Sequence, residues 1–267
     1  LFDSVAFKNV IANGLVLDKN GNKMSKRLGN AVDPFKTLKE FGPDALRWYM
    51  LSNANPWDNL KFNKEGVVEV QRRFFGTLQN TYNFFALYAN LDAFAYDASN
   101  KIPVNERPEL DRWILSKLQS LIKETETAYE NYDITPASRA IMNFTVDQLS
   151  NWYVRLARKR FWRGDMNADK QAAYETLYEC LEVIARLMSP VAPFYADWLF
   201  QNLTASLEKK ALSVHLTDWK PSNESLINLP LENSMQLAQD ISSLVHSLRK
   251  KERLKVRQPL QKVLIPV

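Results

Sequence analysis

Apolar residues recur every three or four positions along most of the chain, and this spacing predicts helices. The helical pattern begins near Lys64 and is interrupted by polar or proline-containing links. The predicted helices cover residues 65–91, 109–129, 135–161, 167–188, 193–203 and 237–255. Long helices joined by modest connections are typical of an antiparallel α-helical bundle, so we predict a mainly α fold.

Cap residues and prolines mark several of these helix ends. Thr135 followed by Pro136 is the pattern of an N-cap and a first helical residue, and Asn167 is a candidate cap for the next helix. Prolines near residue 190 predict the break that follows. On the helix that begins near Thr135, steps of four and three predict one core stripe: Met142, Val146, Leu149, Tyr153 and Leu156.

The first 64 residues have a different pattern. Val10–Leu17 is rich in β-branched and aliphatic residues and predicts a strand, and Asn20-Gly21 predicts a tight turn after it. Asp33-Pro34 predicts a capped helix that Gly42 ends, and Pro43 opens another. We therefore predict a small mixed α/β unit at 1–64, a helical bundle at 65–220, and a linker with the start of a further region at 221–267.

Composition narrows the class of protein. With 267 residues, 46% of them hydrophobic, the chain can bury a sizeable core. Its one cysteine, Cys180, excludes internal disulfides and a cysteine-rich zinc site, and its helical context predicts a buried side chain. The absence of a bilayer-length apolar run or a secretory signal predicts a cytoplasmic protein, which we expect to be monomeric. A start at Leu1 without methionine and an apolar end at Val267 predict a piece of a longer polypeptide.

The candidate chemistry lies in a polar loop between the predicted strand and the helix at Asp33. Within this lysine loop (residues 22–30), Lys23 and Lys26 flank Met24 and Ser25. Lysine is a compact cation with three donors on a flexible stem, so two of them on a loop can neutralise the charge of a polyphosphate. Small Ser25 and the nearby glycines allow the backbone to come close. A solvated surface loop is the alternative for any isolated pair of lysines.

A second candidate site is a basic face on the helix predicted at 135–161. Arg155, Lys159 and Arg163 recur every four residues, Arg158 and Arg160 lie beside them, and Trp152 borders both this face and the core. The list of candidate RNA contacts is Trp152, Arg155, Arg158, Lys159 and Arg163. Cations on a rigid helix bind phosphates and adjacent aromatic rings stack on unpaired bases. A solvated helix face with a core tryptophan is the alternative. A second basic cluster, at residues 249–257, is likewise either an RNA contact or a solvated helix face.

These residues together resemble class I aminoacyl-tRNA synthetases, and within that class the isoleucine-specific branch. Lys23–Lys26 is similar to the second class signature, Lys-Met-Ser-Lys-Ser, with Arg27 in place of the last serine. The resemblance continues along the whole chain, in the segments Gly42–Arg47, Asn151–Trp162, Ser213–Trp219 and Lys255–Leu260.

The resemblance implies a function and its ligands. Lys23, Met24, Ser25 and Lys26 would close over ATP, which acts with Mg2+ in the intact enzyme, and Lys23 and Lys26 would assist catalysis. The helical part would hold the isoleucine acceptor tRNA and its anticodon region, and no metal site is expected in this chain. The first class signature, His-x-Gly-His, does not occur, since the chain has only His215 and His246. The chain alone should therefore make no aminoacyl-adenylate.

Two other interpretations remain open at this stage. The same architecture could serve valine or leucine instead of isoleucine. A stand-alone helical RNA-binding module, with no catalytic part, would also have a basic helical surface. Aminoacylation by the intact enzyme distinguishes the three amino acids, and the residues that precede Leu1 distinguish a synthetase from a stand-alone module, because a synthetase must carry its first signature there.

Overall fold

The computed structural model describes residues 4–207 and 210–265, so the ends Leu1 and Val267 lie outside the described residues. The chain is mainly helical and divides into two compact units, Leu1–Ile227 and Asn228–Val267. No helix within the described ranges has the length and apolar character needed to cross a membrane.

A two-stranded parallel sheet lies in the first part of the first unit. Strand β1 (Val16–Leu17) pairs with β2 (Leu60–Lys61), with Val16 opposite Leu60. The prediction of a strand over the whole of Val10–Leu17 is wrong, because only its last two residues have a partner strand. Val10 is 72% exposed, so the start of the apolar run that predicted a strand lies on the surface.

Two short helices follow the lysine loop, as their caps predicted. Helix α1 (Pro34–Phe41) begins with the Asp33 carboxylate accepting the amides of Phe35 and Lys36, and it ends at Gly42 with a φ of 79°. Helix α2 (Pro43–Asn53) follows at once. A small core forms between α2, β2 and the next helix, with these buried members: Ala45, Tyr49, Leu60, Phe62 and Val67.

The helix predicted at 65–91 is confirmed as one continuous element. It consists of α3 (Lys64–Val70), a π-helical stretch (Gln71–Phe75) and α4 (Gly76–Leu91), and the residues at both junctions keep helical backbone angles. Phe74 and Leu78, four residues apart on one face of this helix, are fully buried. Phe74 stacks on Trp48 of α2 with a ring separation of 4.3 Å, which fixes this helix against the first part of the unit.

The remaining helices of the first unit form the larger core. They are α5 (Glu109–Glu130), α6 (Ile134–Asn143), a π-helical stretch (Phe144–Val154), α7 (Arg155–Trp162), α8 (Ala168–Met188) and α9 (Pro193–Leu203). Asn167 caps α8 by accepting the amide of Lys170, so the predicted cap is confirmed, and α9 begins at Pro193, the last residue of the predicted break. Cys180 is fully buried on α8, which confirms its predicted place in the core.

Two predictions about the 135–161 helix are wrong. Thr135 is not its cap, because the helix already begins at Ile134, and the Thr135 hydroxyl bonds to carbonyls of α2 instead. Leu156 is 53% exposed and does not continue the core stripe. A π-helical turn holds more residues than an α-helical turn, so after Leu149 the buried side chains follow at steps of four, at Tyr153 and Ala157.

The second unit consists of α10 (Leu229–Lys251) and the segment after it. The helix begins eight residues before the predicted Leu237, because Asn228 caps it by accepting the amide of Leu231. It also ends before the predicted Lys255, so the cluster at 249–257 does not continue along one helix face. The guanidinium of Arg249, in the last turn of the helix, donates to the carbonyl groups of Lys255 and Gln258 beyond the helix end, at 2.8 and 2.9 Å.

Candidate functional site

The lysine loop has a defined backbone conformation. The turn at Asn20-Gly21 is confirmed: the Gly21 amide donates to the Asp18 carbonyl, and the Asp18 amide donates to the Asn22 carbonyl. Lys23 lies opposite Leu17 in an antiparallel bridge. A single 3₁₀ turn then covers Lys26–Leu28 and ends at Gly29, whose φ of 67° favours glycine.

Asp18 and Asn30 hold the two ends of this loop together. The Asn30 side-chain amide donates to the Asp18 carboxylate at 2.9 Å and to the Lys23 carbonyl at 3.2 Å, and its oxygen accepts the Ser25 amide at 2.9 Å. The hydrogen bond from Asn30, with others from the backbone of Asn22 and Asn20, lowers the pKa of Asp18. The sequence reasoning missed both residues, although an aspartate two residues before Asn20-Gly21 is a common turn signal.

The residues between these fixed points divide into anchors and exposed cations. Met24 packs against the small core around Tyr49 and Phe62, and the Ser25 hydroxyl accepts the Arg27 amide at 3.2 Å. Lys23 and Lys26 are exposed, and neither has an acidic partner among residues 4–207 and 210–265. Their ammonium groups are therefore available to an anion from solution, on a backbone that is already ordered.

The predicted basic face is shorter than the sequence indicated. Arg155, Arg158 and Lys159 are exposed on α7, and the described part of the chain gives Arg155 and Lys159 no salt bridge. Arg163 lies past the helix end, with extended backbone angles of −106° and 132°, so the prediction of a third helical member is wrong. The predicted helix end at residue 161 lies within one residue of the observed end at Trp162, so only the spacing of four residues had placed Arg163 on the helix face.

Two tryptophans lie on or beside this face. Trp152 is half-buried, as expected of a residue that borders both core and surface. Trp162 is 48% exposed, and the Arg158 guanidinium lies 6.0 Å from the centre of its ring. That separation is within the range of a cation–π contact, which holds both groups at the surface of α7.

Arg160, in contrast, turns away from the basic face into a buried ion pair. Its guanidinium donates two hydrogen bonds to the Asp111 carboxylate, at 2.6 and 2.8 Å, and Asp111 is fully buried. The Tyr153 hydroxyl donates to the same carboxylate at 2.8 Å. Burial opposes the charged form of Arg160, but pairing with Asp111 outweighs it and raises the pKa of Arg160. This cluster fixes the rotation of α7 and therefore the direction of its exposed cations.

Comparisons with known proteins bear directly on this arrangement. A protein-family model described as "Anticodon-binding domain of tRNA ligase" matches residues 111–264, more than half of the chain. The chain belongs to this family. A second one, described as "tRNA synthetases class I (I, L, M and V)", matches residues 1–63, the part that contains the lysine loop. The anticodon-binding family thus accounts for α5 to α10, including the whole basic face.

Three relatives that match this member of the anticodon-binding family along nearly its whole length are isoleucine–tRNA ligases. An isoleucine–tRNA ligase from Cytophaga hutchinsonii is 65% identical over 100% of this chain and 24% of its own length. Those from Bacteroides fragilis and Thermus thermophilus are 59% and 45% identical, over 23% and 25% of their own lengths. The chain therefore spans about a quarter of the length of the curated relatives it matches.

A solved structure resembles the fold. It is a ternary complex of LeuRS from Agrobacterium radiobacter K84 with tRNA and LeuAMS, and it matches with a TM-score of 0.61 and 25% identity. The match covers 81% of this chain and 24% of that one. Within residues 4–207 and 210–265, no group of three His, Cys, Asp or Glu side chains could hold a metal ion.

Proposed function

We propose that the chain is the part of an isoleucine–tRNA ligase that binds tRNA and supplies an ATP-binding loop. The observation that carries this is the identity of 45% to 65% with isoleucine–tRNA ligases along the full chain, with an ordered loop that exposes two unpaired lysines. In the intact enzyme, isoleucine and ATP would form isoleucyl-adenylate and pyrophosphate. The isoleucyl group would then pass to the terminal ribose of its tRNA.

The lysine loop supplies positive charge to the first of these steps. Lys23 and Lys26 would bind the phosphates of ATP and stabilise the negative charge that develops on pyrophosphate as it leaves. Met24 anchors the loop and Ser25 lets the backbone approach, so both belong to the ATP site. Mg2+ would arrive with ATP, because the nearest loop carboxylate, Asp18, already accepts hydrogen bonds on both oxygens.

The helical part holds the tRNA. Arg155, Arg158, Lys159 and Arg163 would contact backbone phosphates of the anticodon region, and Trp152 would contact its bases. Exposure of these cations without acidic partners in the described chain supports this role, as does the family match over 111–264. Arg163 would act from the loop after α7 instead of from the helix.

The chain would divide into three regions, as the sequence predicts. A stem-contact unit at 1–64 would carry the lysine loop, an antiparallel bundle at 65–220 would bind the anticodon region, and 221–267 would link to a further region. Helix α5 packs on α6 and α8 packs on α9, and each pair is joined by a short connection. Helices joined in this way are usually antiparallel, which supports the proposed bundle. We expect the enzyme to act as a monomer in the cytoplasm, where its tRNA is charged.

Replacing Arg155 and Lys159 together with alanine is expected to weaken tRNA binding and its dependence on salt. Each cation that neutralises one phosphate contributes about one unit to the slope of log K against log salt, so the slope should fall by about two units. The measurement is the dissociation constant of this chain for isoleucine tRNA across a salt series. The control is Lys101 and Lys123 changed to alanine, which removes the same charge from the surface.

The control cations differ from the tested pair in one respect. Lys101 and Lys123 are each neutralised by a carboxylate, Glu179 or Glu224, at 3.0 and 2.5 Å. Their removal should leave the salt slope unchanged. Equal slopes for the two double variants would exclude Arg155 and Lys159 from the tRNA-binding surface.

Isoleucine-dependent exchange of pyrophosphate into ATP is expected only from an enzyme in which this chain is joined to a catalytic part. The reason is that the chain has no His-x-Gly-His signature, so its loop has no reaction centre to act on. The measurement compares exchange by the chain alone and by the enzyme, with isoleucine, valine and leucine in parallel. Exchange by the enzyme with valine or leucine in preference to isoleucine would overturn the proposed specificity.

A further inference from the structure

Helix α2 lies between the lysine loop and the helical bundle, and the bundle binds it at both ends. The helix packs on α6 and also contacts α9. Its 11 residues correspond to a rod about 16 Å long. At its C-terminal end, side chains of the bundle donate hydrogen bonds to carbonyls of α2. At its N-terminal end, side chains of α2 form hydrogen bonds with backbone groups of the bundle.

At its N-terminal end, α2 binds the start of α9. The Asp44 carboxylate accepts the Tyr195 amide at 2.6 Å, an amide in the first turn of α9, whose own N-cap Ala192 has no capping side chain. The Arg47 guanidinium donates to the Val191 carbonyl at 2.9 Å. Burial raises the pKa of Asp44, partly offset by its hydrogen bond from Tyr195 and by the Arg47 charge.

At the C-terminal end, two side chains of α6 bind the last carbonyls of α2. The Thr135 hydroxyl donates to the carbonyls of Leu51 and Ala54, at 2.6 and 3.0 Å. The Arg139 guanidinium donates to those of Ser52 and Asn53, at 2.7 and 3.0 Å. The final carbonyls of a helix have no partner within it, so these bonds replace water and place a cation at its negative end.

The same helix positions the lysine loop through its other face. Ala45 and Tyr49 are buried in the small core against which Met24 packs, two residues before Lys26. The Tyr49 hydroxyl donates to the Lys61 carbonyl at 3.2 Å and accepts the Asn63 amide at 3.1 Å, so it also holds strand β2 and the start of α3. A shift or tilt of α2 would therefore displace the support of the loop.

We propose that Thr135 and Arg139 are positioning residues for the lysine loop, acting through α2, although they belong to the anticodon-binding part of the chain. They touch neither ATP nor the loop itself. By holding the last turn of α2 they fix the surface on which Met24 rests, and with it the place from which Lys23 and Lys26 reach a phosphate. The effect on catalysis rests on the function proposed above, whereas the effect on the loop does not.

The test uses the double variant Thr135→Val/Arg139→Ala in the enzyme that carries this chain. The kcat of isoleucine-dependent pyrophosphate exchange is expected to fall about tenfold, because hydrogen bonds that fix the loop support are lost. The KM for isoleucine and the dissociation constant for tRNA should stay unchanged. Arg139→Lys should retain part of the rate, since an ammonium group can still reach one carbonyl.

A matched control separates positioning from a general loss of stability. Tyr129→Phe removes another hydrogen bond from a side chain to a backbone carbonyl, from the Tyr129 hydroxyl to the Leu187 carbonyl at 2.9 Å, and no residue of α2 takes part in it. It should lower the unfolding temperature without lowering kcat. An equal loss of kcat in Tyr129→Phe and in the double variant would overturn the proposal.

Hydrogen exchange in the chain itself gives a readout that needs no activity. The amides of Ser25 and Phe62, bonded to the Asn30 side chain and the Leu17 carbonyl, should exchange about tenfold faster in the double variant. The amide of Cys180 on α8 should not change. If the unmodified enzyme shows no isoleucine-dependent exchange of pyrophosphate, the proposed function fails and these amides alone decide the inference. If the amides of Ser25 and Phe62 exchange their hydrogens at the same rate in the double variant as in Tyr129→Phe, a positioning role is excluded.

Discussion

Replacing Lys26 with alanine is expected to slow adenylate formation about 100-fold to 1,000-fold, the usual cost of removing one preorganised group that stabilises developing charge. Lys26 is exposed on a 3₁₀ turn that Ser25 caps, and no acidic side chain of the described chain neutralises it. Its charge is therefore available to an anion, which in the proposed function would be the leaving pyrophosphate. The measurement is the kcat of isoleucine-dependent pyrophosphate exchange by the enzyme that contains this chain.

The affinity for isoleucine serves as the internal reference for this variant. The KM for isoleucine should change little, since in the proposed function the loop would offer charge to phosphate and not to the amino acid. Lys36→Ala removes an exposed lysine of α1, only ten positions further along the chain, and is the matched control. A rate for Lys26→Ala equal to that of Lys36→Ala would exclude Lys26 from catalysis.

Replacing Asp111 with alanine is expected to reduce the free energy of unfolding by about 3 to 5 kcal/mol, because it leaves a mostly desolvated cation without its buried partner. Asp111 is fully buried and accepts hydrogen bonds from Arg160 and from the Tyr153 hydroxyl. Once the carboxylate is removed, Arg160 keeps only the exposed Asp169 carboxylate and its carbonyl, and the Tyr153 hydroxyl keeps only a contact of 3.5 Å with the Ala173 carbonyl. Urea unfolding of the chain measures the loss.

The control for Asp111 is the other carboxylate that Arg160 contacts. Asp169 lies 3.0 Å from the same guanidinium, but its side chain is 55% exposed, so water can replace it. Asp169→Ala should cost less than about 1 kcal/mol, as is usual for surface ion pairs. A similar loss in both variants would mean that the buried carboxylate has no special role in holding α7.

Local chemistry allowed several features of this fold to be predicted from the sequence. Asn167 caps a helix with its own side chain, and the prolines at 190 and 193 interrupt the helical pattern, so the start of α8 and the break after it followed from the residue types. The start of α10 was also encoded, by Asn228 before Pro230, but the looser polar composition around it favoured a linker. The strand at Val16 was overestimated because extended apolar residues need a partner strand that the sequence does not reveal.

Other features depend on contacts that local patterns do not contain. A regular α-helical spacing placed Leu156 in the core, and a π-helical stretch ahead of it changed the phase of the buried side chains. Of the lysine loop, the sequence predicted Lys23 and Lys26 but not Asn30, whose role depends on the return of the chain to Asp18. In the sequence, nothing distinguishes Arg139 from a surface arginine, because its partners, the carbonyls of Ser52 and Asn53, are distant along the chain.

The burial of Cys180 has a practical consequence for labelling. Burial raises the pKa of its thiol well above the usual value, so little reactive thiolate forms while the bundle is folded. A cysteine introduced at an exposed position such as Leu28, which is 67% exposed, would react with a fluorescent maleimide far faster. The lysine loop can therefore be labelled at this position without replacing Cys180. Slow modification of Cys180 would then report how often the bundle opens.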